Sequence, residues 1–109
     1  MNIWEYQDAA LDTAVYPNIG NNIIYPTLGL CGEAGEVSEK VKKIIRDKQG
    51  KVSTEDKFEL AKELGDVLWY INSFAMELGF SLEDIMIMNI TKLQSRQKRD
   101  KLSGSGDNR

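Results

Sequence analysis

The chain of 109 residues has no histidine, a single cysteine, two prolines and no apolar run of membrane-spanning length. Without histidine, zinc sites and the Glu-x-x-His pattern of di-iron helical bundles are disfavoured. One cysteine, Cys31, cannot form an internal disulfide, which agrees with a reducing compartment, and it is expected to be a small buried core residue. The apolar runs are broken by Glu, Asn or Lys, so no transmembrane span is expected. The opening Met1-Asn2-Ile3-Trp4-Glu5 lacks a signal-peptide layout, and a cytoplasmic location is expected. A net charge of −3 leaves no basic footprint for duplex nucleic acid. There is no Walker-type glycine loop either, which argues against P-loop chemistry.

What is present reads as one all-α domain, a four-helix bundle-like arrangement over residues 1–102 with a flexible tail at 103–109. The first helix spans about Asn2 to Tyr16 and ends at Pro17, with Trp4 assigned to packing and Gln7 open to base recognition. The second begins near Pro26-Thr27 and runs to about Asp47, with Leu30, Ala34, Val37, Val41, Ile44 and Ile45 on one arc. Gly35 costs about 1 kcal/mol in a helix relative to Ala, which suggests a close neighbour at that point. A connecting loop, Asp47 to Ser53, is the expected mobile lid. Ser53 with Asp56 has capping-box spacing for a third helix ending at Leu78, with Gly79 as its left-handed cap. Its stripe includes Leu60, Leu64, Val67, Leu68, Ile71, Phe74, Ala75 and Leu78. Ser81 caps the fourth helix, whose Ile87, Met88 and Ile90 fall outside the inner arc and suggest oligomerisation.

The chemistry is carried by two pairs of acids three residues apart, Glu33 with Glu36 and Glu63 with Asp66. That spacing projects both carboxylates of a pair from neighbouring positions on one helix surface. Gathered together, four carboxylates repel one another unless a cation neutralises them. All the donors are oxygens, so a hard ion, Mg²⁺ or Mn²⁺, is the expected cofactor. One such pair is ordinarily a solvated face. Glu63, however, projects into the apolar stripe close to Val67, where a carboxylate is costly unless it is paired or metal-bound. Asp66 lies at the stripe's edge, Glu33 borders the second helix's arc, and Glu36 lies nearest water with Lys40 between the two.

On the fourth helix Asn89, Lys92 and Arg96 follow one another at intervals of three and four, a polar and then cationic track suited to phosphates. The bland alternative is that Lys92 and Arg96 snorkel or pair with surface acids. A metal site beside a polyphosphate site points to metal-assisted phosphoanhydride hydrolysis.

The run Leu28-Gly29-Leu30-Cys31-Gly32-Glu33-Ala34-Gly35-Glu36-Val37-Ser38-Glu39-Lys40, followed by Glu63-Leu64-Gly65-Asp66-Val67-Leu68-Trp69-Tyr70, closely resembles the MazG-like nucleotide pyrophosphohydrolases. Asn89 to Arg96 is similar to that family's last-helix pattern, so the resemblance covers roughly Tyr6 to Arg96. It implies an all-α fold working as a homodimer or homotetramer. It also implies Mg²⁺-dependent cleavage of a nucleoside triphosphate to monophosphate and pyrophosphate. Glu33, Glu36, Glu63 and Asp66 would be metal ligands and catalytic residues. Asn89, Lys92 and Arg96 would lie near the nucleotide, with Lys40 and Gln7 as further substrate contacts. The family's first motif often opens with two adjacent acids, and Gly32 stands at the first, which leaves the number of metals open. A phosphoribosyl-ATP or dUTP pyrophosphohydrolase, and a non-catalytic helical interaction module, remain as alternatives.

Overall fold

The computed structural model describes all 109 residues. It is all-helical: α1 (Ile3–Asp12), α2 (Ile24–Lys48), α3 (Thr54–Glu77) and α4 (Leu82–Lys98), with no strand. Each start has a local cause. The Asn2 side chain accepts from the Glu5 N–H at 2.9 Å to begin α1, and the Asn22 side chain accepts from the Tyr25 N–H at 3.0 Å beside the start of α2. Ser53 with Asp56, and Ser81 with Asp84, form complete capping boxes at the starts of α3 and α4. Gly50 (φ 77°) and Gly79 (φ 84°) follow the ends of α2 and α3 in the left-handed region that glycine enters without strain.

Helix α1 stops at Asp12, four residues before its expected end at Tyr16. Thr13 turns its hydroxyl back onto the Ala10 carbonyl at 2.7 Å, and Tyr16, which precedes the helix-disfavouring Pro17, bonds Glu77 instead. That carboxylate accepts from the Tyr16 hydroxyl (2.5 Å) and from the backbone N–H groups of Gly20 (2.9 Å) and Asn22 (3.0 Å). One side chain of α3 thereby fixes the whole α1–α2 connection. The loop after α2 is shorter than expected because the helix continues to Lys48. Lys48 Nζ then bonds Asp56 at 2.7 Å and clamps the turn.

The packing is open. Helices α2 and α3 form a long antiparallel pair, and α1 and α4 pack on α3 and on each other, while α2 touches α3 alone. The radius of gyration is 16.8 Å, against about 13 Å for a compact domain of this length. The buried apolar set is only Ala10, Tyr16, Pro26, Ile44, Ala75 and Leu82. Expected core positions Val41, Ile45, Leu64 and Leu68 are exposed: α2 has a single helical neighbour, and the packing of α1, α2 and α4 on α3 leaves Leu64 and Leu68 uncovered. Cys31 is exposed as well, contrary to the expectation of a buried residue. Trp4, assigned to packing, is 48% exposed. The close approach expected at Gly35 occurs at Gly29: a Cβ there would fall inside the Tyr70 ring, whereas one on Gly35 would meet nothing within 4 Å.

Candidate metal centre

The α2–α3 pairing brings the two acidic motifs together. Oxygens of Glu33, Glu63 and Asp66 lie within 4.8 Å of one another, Glu33 and Glu63 half-buried and Asp66 exposed. Glu36, one turn along α2, is exposed and stands outside this close group. Three carboxylates at such range strain one another electrostatically. Burial pushes the Glu33 carboxyl above the usual carboxylate range, and the charge of Asp66, a hydrogen bond with Glu63 and the charges of Glu63 and Glu36 add to it. Lys40 supplies a counter-charge, its Nζ lying 3.6 Å from Glu63 and 3.9 Å from Glu59. Glu63 keeps only 16% of its side-chain surface, so its carboxylate is poorly solvated by water. Oxygen donors grouped in this way suit a hard divalent cation.

Beside the acids lies a cleft of about 340 Å³ lined by Thr13, Glu33, Asp66, Trp69 and Tyr70. The Trp69 indole N–H donates to the Thr13 hydroxyl at 2.8 Å, and its ring meets Tyr70 edge-on with centroids 4.9 Å apart. Burial raises the Tyr70 hydroxyl pKa, followed by the influence of Tyr25 and of the Glu33 charge; burial and then Asp66 do the same for Tyr6. An acidic centre thus opens onto an aromatic wall. Trp69 and Tyr70 follow Asp66 by three and four residues, a spacing that places them on its face of α3. Thr13 carried no comparable signal, since it arrives from a loop.

The profile of the MazG nucleotide pyrophosphohydrolase domain matches residues 26–100, more than half of the chain. The chain belongs to this family. It is also 47% identical, over an alignment of 114 positions covering all of both chains, to the Gene 37 protein of Mycobacterium phage L5. No solved structure matches it.

In this MazG domain the remaining expected contacts are dispersed. Gln7 is engaged elsewhere: its side-chain oxygen accepts from the Leu82 N–H at 2.8 Å, at the start of α4, and its backbone carbonyl accepts from Asn72 at 3.3 Å. Asn89 is exposed, in a shallow cleft with Ile3, Glu83, Met86, Ile87 and Ile90. Lys92 and Arg96 are side by side, and both contact Asp107. No helix is long and apolar enough to cross a membrane.

Proposed function

We propose that this MazG domain hydrolyses nucleoside triphosphates, canonical, deoxy or modified, to the monophosphate and pyrophosphate, using Mg²⁺ or Mn²⁺. The observation that carries this reading is the close approach of the Glu33, Glu63 and Asp66 oxygens across α2 and α3. These residues would hold the ion, with Glu36 reaching in from the next turn. When bound, such an ion supplies positive charge against phosphate oxygens and lowers the pKa of water.

The chain's own residues do the rest. Partial burial of Glu33 and Glu63 keeps the carboxylates weakly hydrated and therefore strong ligands. Lys40 balances Glu63 and holds it in place. Trp69 and Tyr70 line the cleft with aromatic rings against which a base or sugar can pack. Lys92 and Arg96 offer charge-assisted donors for phosphate oxygens. Function as a homodimer or homotetramer is part of the same reading, since the open α2–α3 pair leaves apolar surface uncovered.

The test is a panel of nucleoside triphosphates with Mg²⁺ or with EDTA, resolving the products. Monophosphate and pyrophosphate in equal amounts, with Mg²⁺ only, support the reading. Absence of turnover on every nucleotide by folded protein overturns it.

A further inference from the structure

Lys92 and Arg96 lie one turn apart on α4, and an anion already sits on them, supplied by the chain itself. Lys92 Nζ bonds Asp107 Oδ1 at 2.7 Å; Arg96 Nη2 lies 3.4 Å from the same oxygen and also donates to the Asp107 backbone carbonyl. Arg96 is only 5% exposed. Asp107 is nevertheless the only acid with which Arg96 or Lys92 forms an ion pair. A cation this buried is costly without an anion, so the pocket requires one.

The terminal segment is shaped to deliver it. Asp100 (φ 57°) turns the chain at the end of α4, and Gly104 (φ 121°) and Gly106 (φ 86°) take conformations that favour glycine. The Arg109 guanidinium closes the loop by donating to the carbonyls of Lys101 (3.2 Å), Leu102 (2.8 Å) and Gly106 (2.6 Å), while Arg99 donates to the Arg109 carbonyl at 2.6 Å. Almost nothing apolar anchors the segment: Leu102 is 53% exposed and the Asp107 side chain 77% exposed. Apart from the pairing with Arg96, these polar contacts face solvent, where such contacts are weak and readily exchanged.

We infer that residues 103–109 are a tethered competitor: Asp107 occupies the Lys92–Arg96 anion site in the free chain, and a di- or triphosphate group binds there by displacing it. A carboxylate brings one negative charge to the site, whereas a triphosphate brings several and offers the Arg96 guanidinium paired oxygens, so exchange favours the phosphate. This rests on the assignment of Lys92 and Arg96 as phosphate ligands under the proposed function, but not on hydrolysis.

The test is calorimetric titration of inorganic tripolyphosphate in EDTA, so that the acidic centre plays no metal-dependent part. It compares the full chain, a chain ending at Leu102, and Asp107→Asn. The full chain's apparent affinity is the intrinsic one scaled by the fraction with the segment open, so truncation should tighten binding by the reciprocal of that fraction, about fivefold. Asp107→Asn should tighten it less, because the backbone carbonyl contact remains, and it carries the test by itself if the truncated chain does not fold. Lys92→Gln in either background should reverse the gain. Equal or weaker binding by the unblocked variants, or no tripolyphosphate binding by any of them, overturns the inference. Failure of the proposed hydrolysis would show separately, in the product assay with Mg²⁺.

Discussion

At the scale of single residues, the centre is three acids held closer than their charges favour. Glu33 makes this measurable, because its carboxyl is pushed above the usual range by burial and then by its acidic neighbours. A raised carboxyl favours the fold while protonated, and that stability is lost as pH rises through the raised value. At neutral pH the metal-free chain therefore carries a cost that Glu33→Gln relieves. The expected outcome is a higher melting temperature for Glu33→Gln than for the parent in EDTA, with the difference shrinking in acid and Mg²⁺ stabilising only the parent. Equal melting of the two in EDTA would show that the acids do not strain one another. Glu77 has the opposite sign. Burial would raise its carboxyl, but donation from Tyr16, Asn22 and Gly20 outweighs this and holds it below the usual range. Its contribution is present above the ordinary glutamate pKa and fades as pH falls through the lowered one. Glu77→Gln should cost about 1.5–3 kcal/mol near neutrality by denaturant unfolding, and less at acidic pH.

At the scale of elements, the two long helices fit together at Gly29, where the Tyr70 ring of α3 takes the space of a side chain. Gly29→Ala is expected to destabilise by about 1–3 kcal/mol through overpacking. Gly35→Ala, with open space around it, is expected to stabilise by about 0.5–1 kcal/mol through helix propensity. Thermal unfolding of the pair checks both, and the same sign for both would contradict this packing. Much of the element structure was legible in the sequence. Ser53 and Ser81 announce their helices by capping chemistry that needs no tertiary partner, and Gly79 announces an end in the same way. The early stop of α1 was not legible, because it depends on Tyr16 reaching Glu77 across 61 positions of sequence. The choice between Gly29 and Gly35 was hidden for a similar reason: periodicity says which face a residue occupies, not what stands opposite. Of the candidate site, the spacing of the acids grouped Glu33, Glu36, Glu63 and Asp66, whereas the folded chain brings only Glu33, Glu63 and Asp66 within reach of one another and leaves Glu36 outside. Gln7 shows the limit, since only the folded chain reveals that its amide oxygen meets the first N–H of α4.

At the scale of the whole molecule, the chain exposes far more than it buries. Ile45 and Leu64 are 64% and 59% exposed on the two long helices, and Phe58 is 67% exposed. These uncovered apolar side chains are what the proposed dimer or tetramer would bury. Sedimentation velocity at micromolar concentration is expected to show a dimer or tetramer, and Leu64→Glu is expected to shift it towards monomer. A wild-type monomer under those conditions would contradict the expectation. The central claim is that the carboxylates joined across α2 and α3 form a metal-dependent catalytic centre, and Glu63, the least solvated of those in ion pairs near it, tests this most directly. The measurement is Mg²⁺-dependent pyrophosphate release from a nucleoside triphosphate by the parent and by Glu63→Gln at matched folding and oligomeric state. Loss of at least about a hundredfold in the variant is the expected result, as for removal of a group that stabilises charge in the transition state. Equal turnover by the two proteins would contradict it.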